Sequence, residues 1–410
     1  MEIIADLQLH SRFSRACSKN ITLNKLEEYA RIKGLDLLST ADFQHPIWNK
    51  EIKKTLEEDE NGVLWSKNKF PFIWGTEISL MYGDNGRRAV HLLVYAPDGD
   101  VADQIIDILG KKGRLDYDGR PIFGISCPEF VELMKEIDEK IEIIPSHCMT
   151  SFFGIFGSKS GFDSLKECFK DKVNKIYAIE SGMSANPGML WRLKENVNIV
   201  SFSDAHSYWP YRLGREATIF DLNELSYYNI INAIRTGNGL KKTIEVYPNY
   251  GKYHIDGHRM CDFFCDYKRS LELNKICPKC GKELTIGVEY RIEELAKEKE
   301  GYKPENAKDF IEIIPLQEVI AAVYDIKQLN GKKIWDVYNK LIKEFGNEFN
   351  ILLNVSFDDL KKIVDERLAN IVIKNRDGEL RINPGADGVY GVVMLNKNEK
   401  IISQTRLNQF

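Results

Sequence analysis

Ala5-Asp6-Leu7-Gln8-Leu9-His10 alternates apolar and polar residues, the period of a β-strand, and ends on a histidine. A polar loop, Ser11-Arg12-Phe13-Ser14-Arg15, follows at once. The arrangement recurs through the first half of the chain. The apolar run 34–41 ends at Asp42, 70–76 at Glu77, 141–146 at His147, 175–179 at Glu180, and 198–203 at Asp204-Ala205-His206. A row of such endings lines one end of a single parallel sheet with metal-ligating and acid/base side chains, which is how a β/α barrel presents its active site. Helix-like stretches lie between the runs, among them Leu23-Asn24-Lys25-Leu26-Glu27-Glu28-Tyr29-Ala30. Residues 1–240 are therefore expected to form an α/β barrel of seven or so strands. The run 87–95 carries His91 and is expected to pair with the run through Glu77 and Ser79 across the turn Gly83-Asp84-Asn85-Gly86.

The chain of 410 residues is long enough for two or three domains, and a hydrophobic fraction of 43% suits a substantial core. No apolar run reaches the ~18 residues of a membrane span, and no basic-then-apolar leader opens the chain. The net charge of −4 argues against non-specific nucleic-acid binding over the whole surface while leaving room for a local basic groove.

Eight cysteines divide into four scattered ones and a tight group, Cys261, Cys265, Cys277 and Cys280. Without an export signal, such a group reads as zinc ligands in a reducing, cytoplasmic compartment. The turn Cys277-Pro278-Lys279-Cys280-Gly281 points both sulfurs and its amides at one ion, so residues 241–290 are read as a connector and a four-cysteine structural zinc module. His254 and His258 lie just upstream and could substitute as ligands. Residues 291–395 are expected to be a helical C-terminal domain. Ile334, Val337, Tyr338, Leu341 and Ile342 recur at helical spacing, and Ser356-Phe357-Asp358-Asp359 resembles a helix start ahead of Leu360, Ile363, Val364 and Leu368.

His10, His91, His147 and His206, with Glu77 and Asp204, share the predicted rim and point to a metal site. A glutamate can bridge two cations, and two cations suit phosphoester hydrolysis. On these residues the first 235 or so positions resemble the PHP (polymerase and histidinol phosphatase) family of metal-dependent phosphoesterases. The resemblance implies a distorted (β/α)7 barrel with up to three metals. The family's opening His-x-His falls on Gln8 and His10, its glutamate on Glu77 in Gly75-Thr76-Glu77, its strand histidine on His91, its Pro-x-His on His147, and its Asp-x-His on Asp204 and His206. This implies Gln8, His10, Glu77, His91, His147, Asp204 and His206 as the divalent-metal set (Zn2+, Mg2+ or Mn2+), with Asp204, Glu77 and His147 catalytic. Three positions depart: Gln8 replaces a histidine, and Arg15 and Phe43 stand where the family holds metal ligands, though Asp42 is kept. One metal position is thus weakened. His45 is a candidate to restore it in part, and Arg15 a candidate catalytic cation for a substrate phosphate or else a solvated arginine.

The barrel, cysteine module and helical domain together resemble the endonuclease Q family of DNA-repair nucleases. The strings Ala41-Asp42-Phe43-Gln44-His45-Pro46, Glu180-Ser181-Gly182-Met183 and Pro384-Gly385-Ala386-Asp387-Gly388-Val389-Tyr390-Gly391 carry that likeness. It implies a monomeric endodeoxyribonuclease cutting 5′ of deaminated bases (uracil, hypoxanthine, xanthine) and of abasic sites. A flipped base needs aromatic surfaces and cations, for which Phe152, Lys159 and Trp209 are candidates, with plain packing as the alternative for the aromatics. A small-molecule phosphatase and a DNA-binding module without activity are the other readings. The final residues, in the tail 396–410, carry Gln404, Leu407 and Phe410 in a pattern resembling the peptide by which repair enzymes dock on the sliding clamp PCNA.

Overall fold

The structure, a computed structural model, describes residues 1–395. Three parallel strands begin the fold: Glu2–Asp6, Leu37–Ser39 and Pro71–Gly83. Helix Leu23–Lys33 connects the first two. Thr22 caps its start by accepting from the Lys25 amide, and Gly34, at φ 96°, ends it in the left-handed region that glycine alone enters freely. A Cβ at Gly34 would also lie 2.6 Å from Asn347 Oδ1, so the same residue lets the C-terminal helices approach.

The third strand pairs antiparallel with Arg87–Ala96 from Trp74↔Ala96 to Gly83↔Arg87, which is the expected ribbon. It runs on past Glu77 because apolar alternation continues through Ile78 and Leu80, both buried, and because its partner extends equally far. Glu77 therefore sits mid-strand rather than at a strand end. Arg87–Ala96 passes the sheet to Glu142–Pro145, and Ala217–Asp221 and Leu240–Glu245 extend its other side from Glu2–Asp6. The mixed sheet totals 11 strands, with Ala178–Glu180 and Asn198–Val200 as a separate parallel pair. Backbone hydrogen bonds link that pair to its neighbours: Cys148 N–H donates to Glu180 O at 2.9 Å and Ser181 N–H to Val200 O at 3.0 Å. The circuit returns to the first strand where His10 N–H donates to Ala205 O at 3.0 Å.

The C-terminal region is helical, with Leu316–Val323, Lys332–Phe345, Glu348–Leu353, Phe357–Ile363 and Glu366–Arg376. Ser356 caps the fourth of these as expected, but Asp365 caps a fifth helix where the sequence reading ran one through Val364 to Leu368. The expected boundary at residue 291 is not a break in the sheet, since Asp309–Glu312 pairs in parallel with Leu240–Glu245. The helices are seated by a buried ion pair: Lys33 Nζ lies 2.6 Å from Glu348 Oε1, which also accepts from the Leu316 amide. An exposed pair contributes little, but removing one partner of a buried pair costs about 3–5 kcal/mol. No helix among the described residues is long and apolar enough to cross a membrane.

Candidate metal centre

Two groups of donors converge at the rim. Glu77, His91 and His147 each offer an atom within 4.8 Å of the others, and so do His10, Asp204 and His206. The ribbon register explains the first group. Glu77 faces Leu93 and Ser79 faces His91, so Glu77 and His91 are diagonal neighbours on one face. Their atoms meet at 3.3 Å (Oε1 to Nδ1), and His147 Nε2 lies 3.2 Å from the same oxygen. The other carboxylate oxygen of Glu77 is 3.0 Å from His10 Nε2, which is also 3.0 Å from Asp204 Oδ1. One buried carboxylate thus joins the two groups.

The backbone at these residues is held in uncommon conformations. Asp42, His147 and Asp204 have φ of 34°, 34° and 49°, a region costing non-glycine residues about 1–3 kcal/mol unless the surroundings fix it. At His147 the fixing group is Glu180, whose carboxylate accepts from the His147 amide, from Gly182 N–H at 2.7 Å and from Phe202 N–H at 3.2 Å. Gly182 is itself at φ 62°, and a Cβ there would meet His147 Cβ at 2.6 Å. Asp42 accepts from Ser11 N–H at 2.6 Å and Ser14 Oγ–H at 2.9 Å, and its other oxygen lies 3.2 Å from His10 Nδ1. Glu180 and Asp42 therefore position the donors from behind rather than joining them.

Charge follows this packing. Burial alone would raise the Glu77 carboxyl, but neighbouring His91 and Arg120 and hydrogen bonds from His10 and His147 hold it well below its ordinary value. Burial likewise works against a charged His10, yet hydrogen bonds to Asp204, Asp42 and Glu77 hold it well above its ordinary value. Burial lowers His206, favouring the neutral imidazole that a cation takes as ligand. Carboxylate and imidazole donors suit Zn2+ or Mn2+. His91 Nδ1 and His147 Nε2 face each other at 3.1 Å, where at most one proton can sit between them. Gln8 gives its amide N–H to Glu77 Oε1 at 3.2 Å while its buried Oε1 has no hydrogen-bond partner. That oxygen is a hard donor, without a partner among the described residues, on the amide that holds Glu77. The donor set thus fits divalent ions.

Three candidates fall elsewhere. Arg15 pairs with Asp118 (Nε to Oδ2, 3.1 Å) and its side chain is 77% exposed, so it points away from the cluster. Phe43 is buried edge-to-face on Trp74, and His45 stacks on Phe13 outside both donor groups. The cation inside the cluster is one that sequence reasoning missed: Arg120 Nη1 lies 2.9 Å from Glu77 Oε2. Its loop, Asp118-Gly119-Arg120-Pro121, bears no sign in the sequence beyond turn composition.

In the cysteine module the structure gathers a different fourth donor from the one expected. His258, Cys261, Cys277 and Cys280 bring their donor atoms within 4.8 Å of one another, and Cys265 is not among them. The cause is the hairpin Asp256–His258 with Phe263–Cys265. His258 opposes Phe263 beside the tight turn Arg259–Cys261, whereas Cys265 lies two residues further along, opposite Asp256. Two strand residues span roughly 6–7 Å. The Cys-Pro-Lys-Cys-Gly turn behaves as read: Gly281 N–H donates to Cys277 O at 2.9 Å. Burial raises the Cys277 thiol, but the Lys279 and Cys280 amides outweigh it and bring it down to about 7. Three sulfurs and one imidazole suit a structural Zn2+ as four sulfurs would.

The chain has full-length structural counterparts. Its residues 315–379 match the MJ0043 C-terminal domain family. Uncharacterized protein MJ0043 of Methanocaldococcus jannaschii is 31% identical over 254 residues, 60% of this chain, which spans only 31% of that protein's length. Uncharacterized protein YqxK of Bacillus subtilis is 26% identical over 96% of this chain and 99% of its own. The crystal structure of the lesion-specific endonuclease PfuEndoQ from Pyrococcus furiosus superposes with a TM-score of 0.86 at 29% identity, covering 98% of both chains. An endonuclease Q complex with a 27-mer duplex substrate carrying an abasic lesion at the active site gives the same TM-score and identity over 98% of this chain and 99% of that one. The chain is an endonuclease Q-type protein. Within this endonuclease Q-type architecture the three residues considered for DNA contact are differently placed. Phe152 is 47% exposed, with Tyr253 beside it at 6.1 Å between ring centroids. Lys159 lines an open cavity of about 340 Å3 together with Arg87, Arg88, Lys275 and Arg291. Trp209 is half-buried and packs among Tyr29, Tyr208 and Trp335, at the seam between the first helix and the C-terminal helices, as the packing alternative has it. Gln404, Leu407 and Phe410 lie outside the described residues.

Proposed function

We propose that this chain is a metal-dependent endodeoxyribonuclease of DNA repair that hydrolyses the phosphodiester 5′ of deaminated bases (uracil, hypoxanthine, xanthine) and of abasic sites. The observation that carries this reading is the Glu77-bridged pair of donor groups in a chain matching a lesion-specific endonuclease along 98% of its length. The barrel reading, a distorted (β/α)7 unit over residues 1–240, is supported by the hydrogen-bond circuit that returns to the first strand at His10.

His10, Asp204 and His206 would hold one divalent ion and Glu77, His91 and His147 a second. Such ions, when bound, supply Lewis-acid charge to phosphate oxygens and activate water. The protein's own share is positioning. Asp42 and Glu180 orient His10 and the backbone of His147, so the donors stand in place before substrate arrives. Phe153, stacked on His91 at 4.3 Å, keeps solvent off that face of the imidazole. The exposed Phe152, next in sequence to the Phe153 that stacks on His91, and the basic cavity at Lys159 offer the aromatic surface and cations that a displaced base and its flanking phosphates need. The sliding clamp PCNA, or a clamp of that archaeal or eukaryotic kind, is the partner proposed for Gln404, Leu407 and Phe410.

The test is a plasmid-length duplex carrying a single uracil or abasic site, assayed with divalent ions beside a small phosphomonoester. Nicking at the lesion supports the reading. Turnover of the monoester alone would make the chain a small-molecule phosphatase, and neither activity would overturn catalysis altogether.

A further inference from the structure

Among the described residues Arg120 is the one guanidinium inside a cluster of carboxylates and imidazoles, and its loop is built to bring it there. Gly119 N–H donates to Phe13 O at 3.2 Å, and Gln44 donates to Gly119 O from below. A Cβ on Gly119 would lie 2.2 Å from Asp42 Oδ2 and 2.3 Å from Ser14 Oγ, so only glycine lets the loop ride this closely over the metal-site carboxylate. Asp118 Oδ1 accepts from the Arg120 amide at 3.0 Å and from the Arg15 amide at 3.3 Å, while its Oδ2 takes the Arg15 guanidinium. Arg15 thus braces the loop that delivers Arg120. At the far end Arg120 Nη1 reaches Glu77 Oε2, which also faces His10 Nε2.

A guanidinium carries five N–H donors in a planar fork, and Glu77 occupies one. Among the described residues no other side-chain hydrogen bond of Arg120 is formed. Its side chain is 22% exposed, so part of it is open to solvent and to a bound ligand. If Arg120 served only to neutralise Glu77, a lysine-like point charge would suffice and the remaining donors would have no task. A phosphodiester held at the two donor groups presents non-bridging oxygens whose geometry matches the unused donors of that fork.

We infer that Arg120 is a substrate-binding catalytic residue: its guanidinium, anchored on Glu77 and carried by the Asp118–Gly119 turn, hydrogen-bonds a non-bridging oxygen of the scissile phosphodiester. The inference rests on the phosphodiesterase reading above and names a contact within it. It also assigns to Arg120 the phosphate-binding cation that the sequence suggested at Arg15.

The experiment pairs a protein change with an atom change. Duplexes carrying an abasic site are made with an ordinary phosphodiester, or with either methylphosphonate diastereomer, at the scissile position. Binding is measured for the full chain with Asp204→Ala, which keeps the DNA uncut, with and without Arg120→Ala or Arg120→Lys. Losing one charge-assisted hydrogen bond weakens binding by about tenfold or more. The expected result is that one diastereomer weakens binding by that factor when Arg120 is present and by much less in the Arg120→Ala chain, with Arg120→Lys intermediate. Metal content of Arg120→Ala, measured on the same samples, should equal that of the parent. Equal diastereomer penalties with and without Arg120, or loss of metal from Arg120→Ala without any change in penalty, would overturn the inference and leave Arg120 a support for Glu77. Failure of the parent to bind the abasic duplex at all would instead overturn the DNA reading, and this contact with it.

Discussion

His10 and Asp204 meet across 194 residues of chain, whereas His258 and Cys280 meet across 22. Both clusters are chemically suited to cations, yet they are assembled in opposite ways. The central one is largely buried, its six donors drawn from five separate segments, and held by sheet hydrogen bonds and by acids behind the donors. The module is local, its Cys280 is exposed, and Met260, Phe264 and Leu271 around it stand in solvent. The central geometry thus belongs to the fold, while the module has little apolar core to hold it without an ion. Removing an ion should cost chemistry in one place and structure in the other.

The largest expected effect tests the first half of this contrast. Asp204→Ala should lower lesion cleavage by roughly a thousandfold or more, since several kcal/mol of charge stabilisation is lost. The melting temperature and the affinity for damaged duplex should change little. Glu77→Ala should match it in rate but release both exchangeable metals, where Asp204→Ala releases one, as metal analysis of the purified chains would read out. Unchanged cleavage in Asp204→Ala would remove the central cluster from the mechanism.

The second half is tested at the module. Cys277→Ser or His258→Ala should lose the tightly held zinc and open residues 256–287 to proteolysis, because structural zinc binding of about 10–16 kcal/mol is also folding energy. Cys265→Ser should retain the metal. Retention in His258→Ala with loss in Cys265→Ser would restore the all-cysteine ligand set.

A smaller effect separates burial that serves the donors from burial that serves the sheet alone. Glu245 is buried beneath the rim, accepting from Ser181 Oγ and Ser201 Oγ at 3.0 Å each, and burial pushes its carboxyl to about 8 against an ordinary 4.5. The folded chain keeps this proton after the unfolded chain has released it. The stabilisation is therefore full below about pH 4.5 and is lost as pH rises towards 8. Glu245→Gln, which has no proton to lose, should gain on the parent by about 1–3 kcal/mol as pH is raised from 5 to 8, seen in denaturant unfolding at each pH. A constant difference between the two chains would show that Glu245 is ionised throughout.

The smallest effect lies between the two regions. The cavity at Lys159 takes Arg87 and Arg88 from the ribbon and Lys275 and Arg291 from the module side. Arg291 is already engaged by Asp163 and Glu294, and Arg88 by Glu167. Lys159→Ala should weaken DNA binding uniformly across sequences and reduce the salt slope by about 1. An unchanged slope would take the phosphate path elsewhere.

The contrast also explains what could be read from the amino acids. Strand periodicity ending in ligating side chains brought His10, Glu77, His91, His147, Asp204 and His206 together on paper, and the structure brings them together in space. That pattern works because strand periodicity is a local signal, and it holds even though Glu77 and His91 lie within their strands rather than at the ends. The structure gathers His258 rather than Cys265 with the other three cysteines, because cysteine count does not reveal the hairpin register that sets Cys265 opposite Asp256. Arg120 was invisible for a related reason. Its place depends on a loop crossing Asp42 at a glycine, a tertiary approach with no periodic trace in the chain. For Trp209 the sequence left base contact and plain packing both open; Trp335 lies against it from a helix more than a hundred residues away, and nothing near Trp209 announces that partner.

The ribbon of Pro71–Gly83 and Arg87–Ala96 sets which genetic length changes this chain can survive. Adding or deleting one residue between Glu77 and the tip, or between the tip and His91, would shift the pairing by one and turn a ligand to the opposite face. At Asn85-Gly86 itself the chain is exposed and a Cβ on Gly86 meets nothing within 4 Å. Extra residues inserted there leave both arms in register. Natural and engineered length variation should therefore collect at that tip and be purged from the two arms; because Asn85 and Gly86 also line the basic cavity at Lys159, a tag or reporter loop placed there would leave the metal donors in register while crowding that cavity.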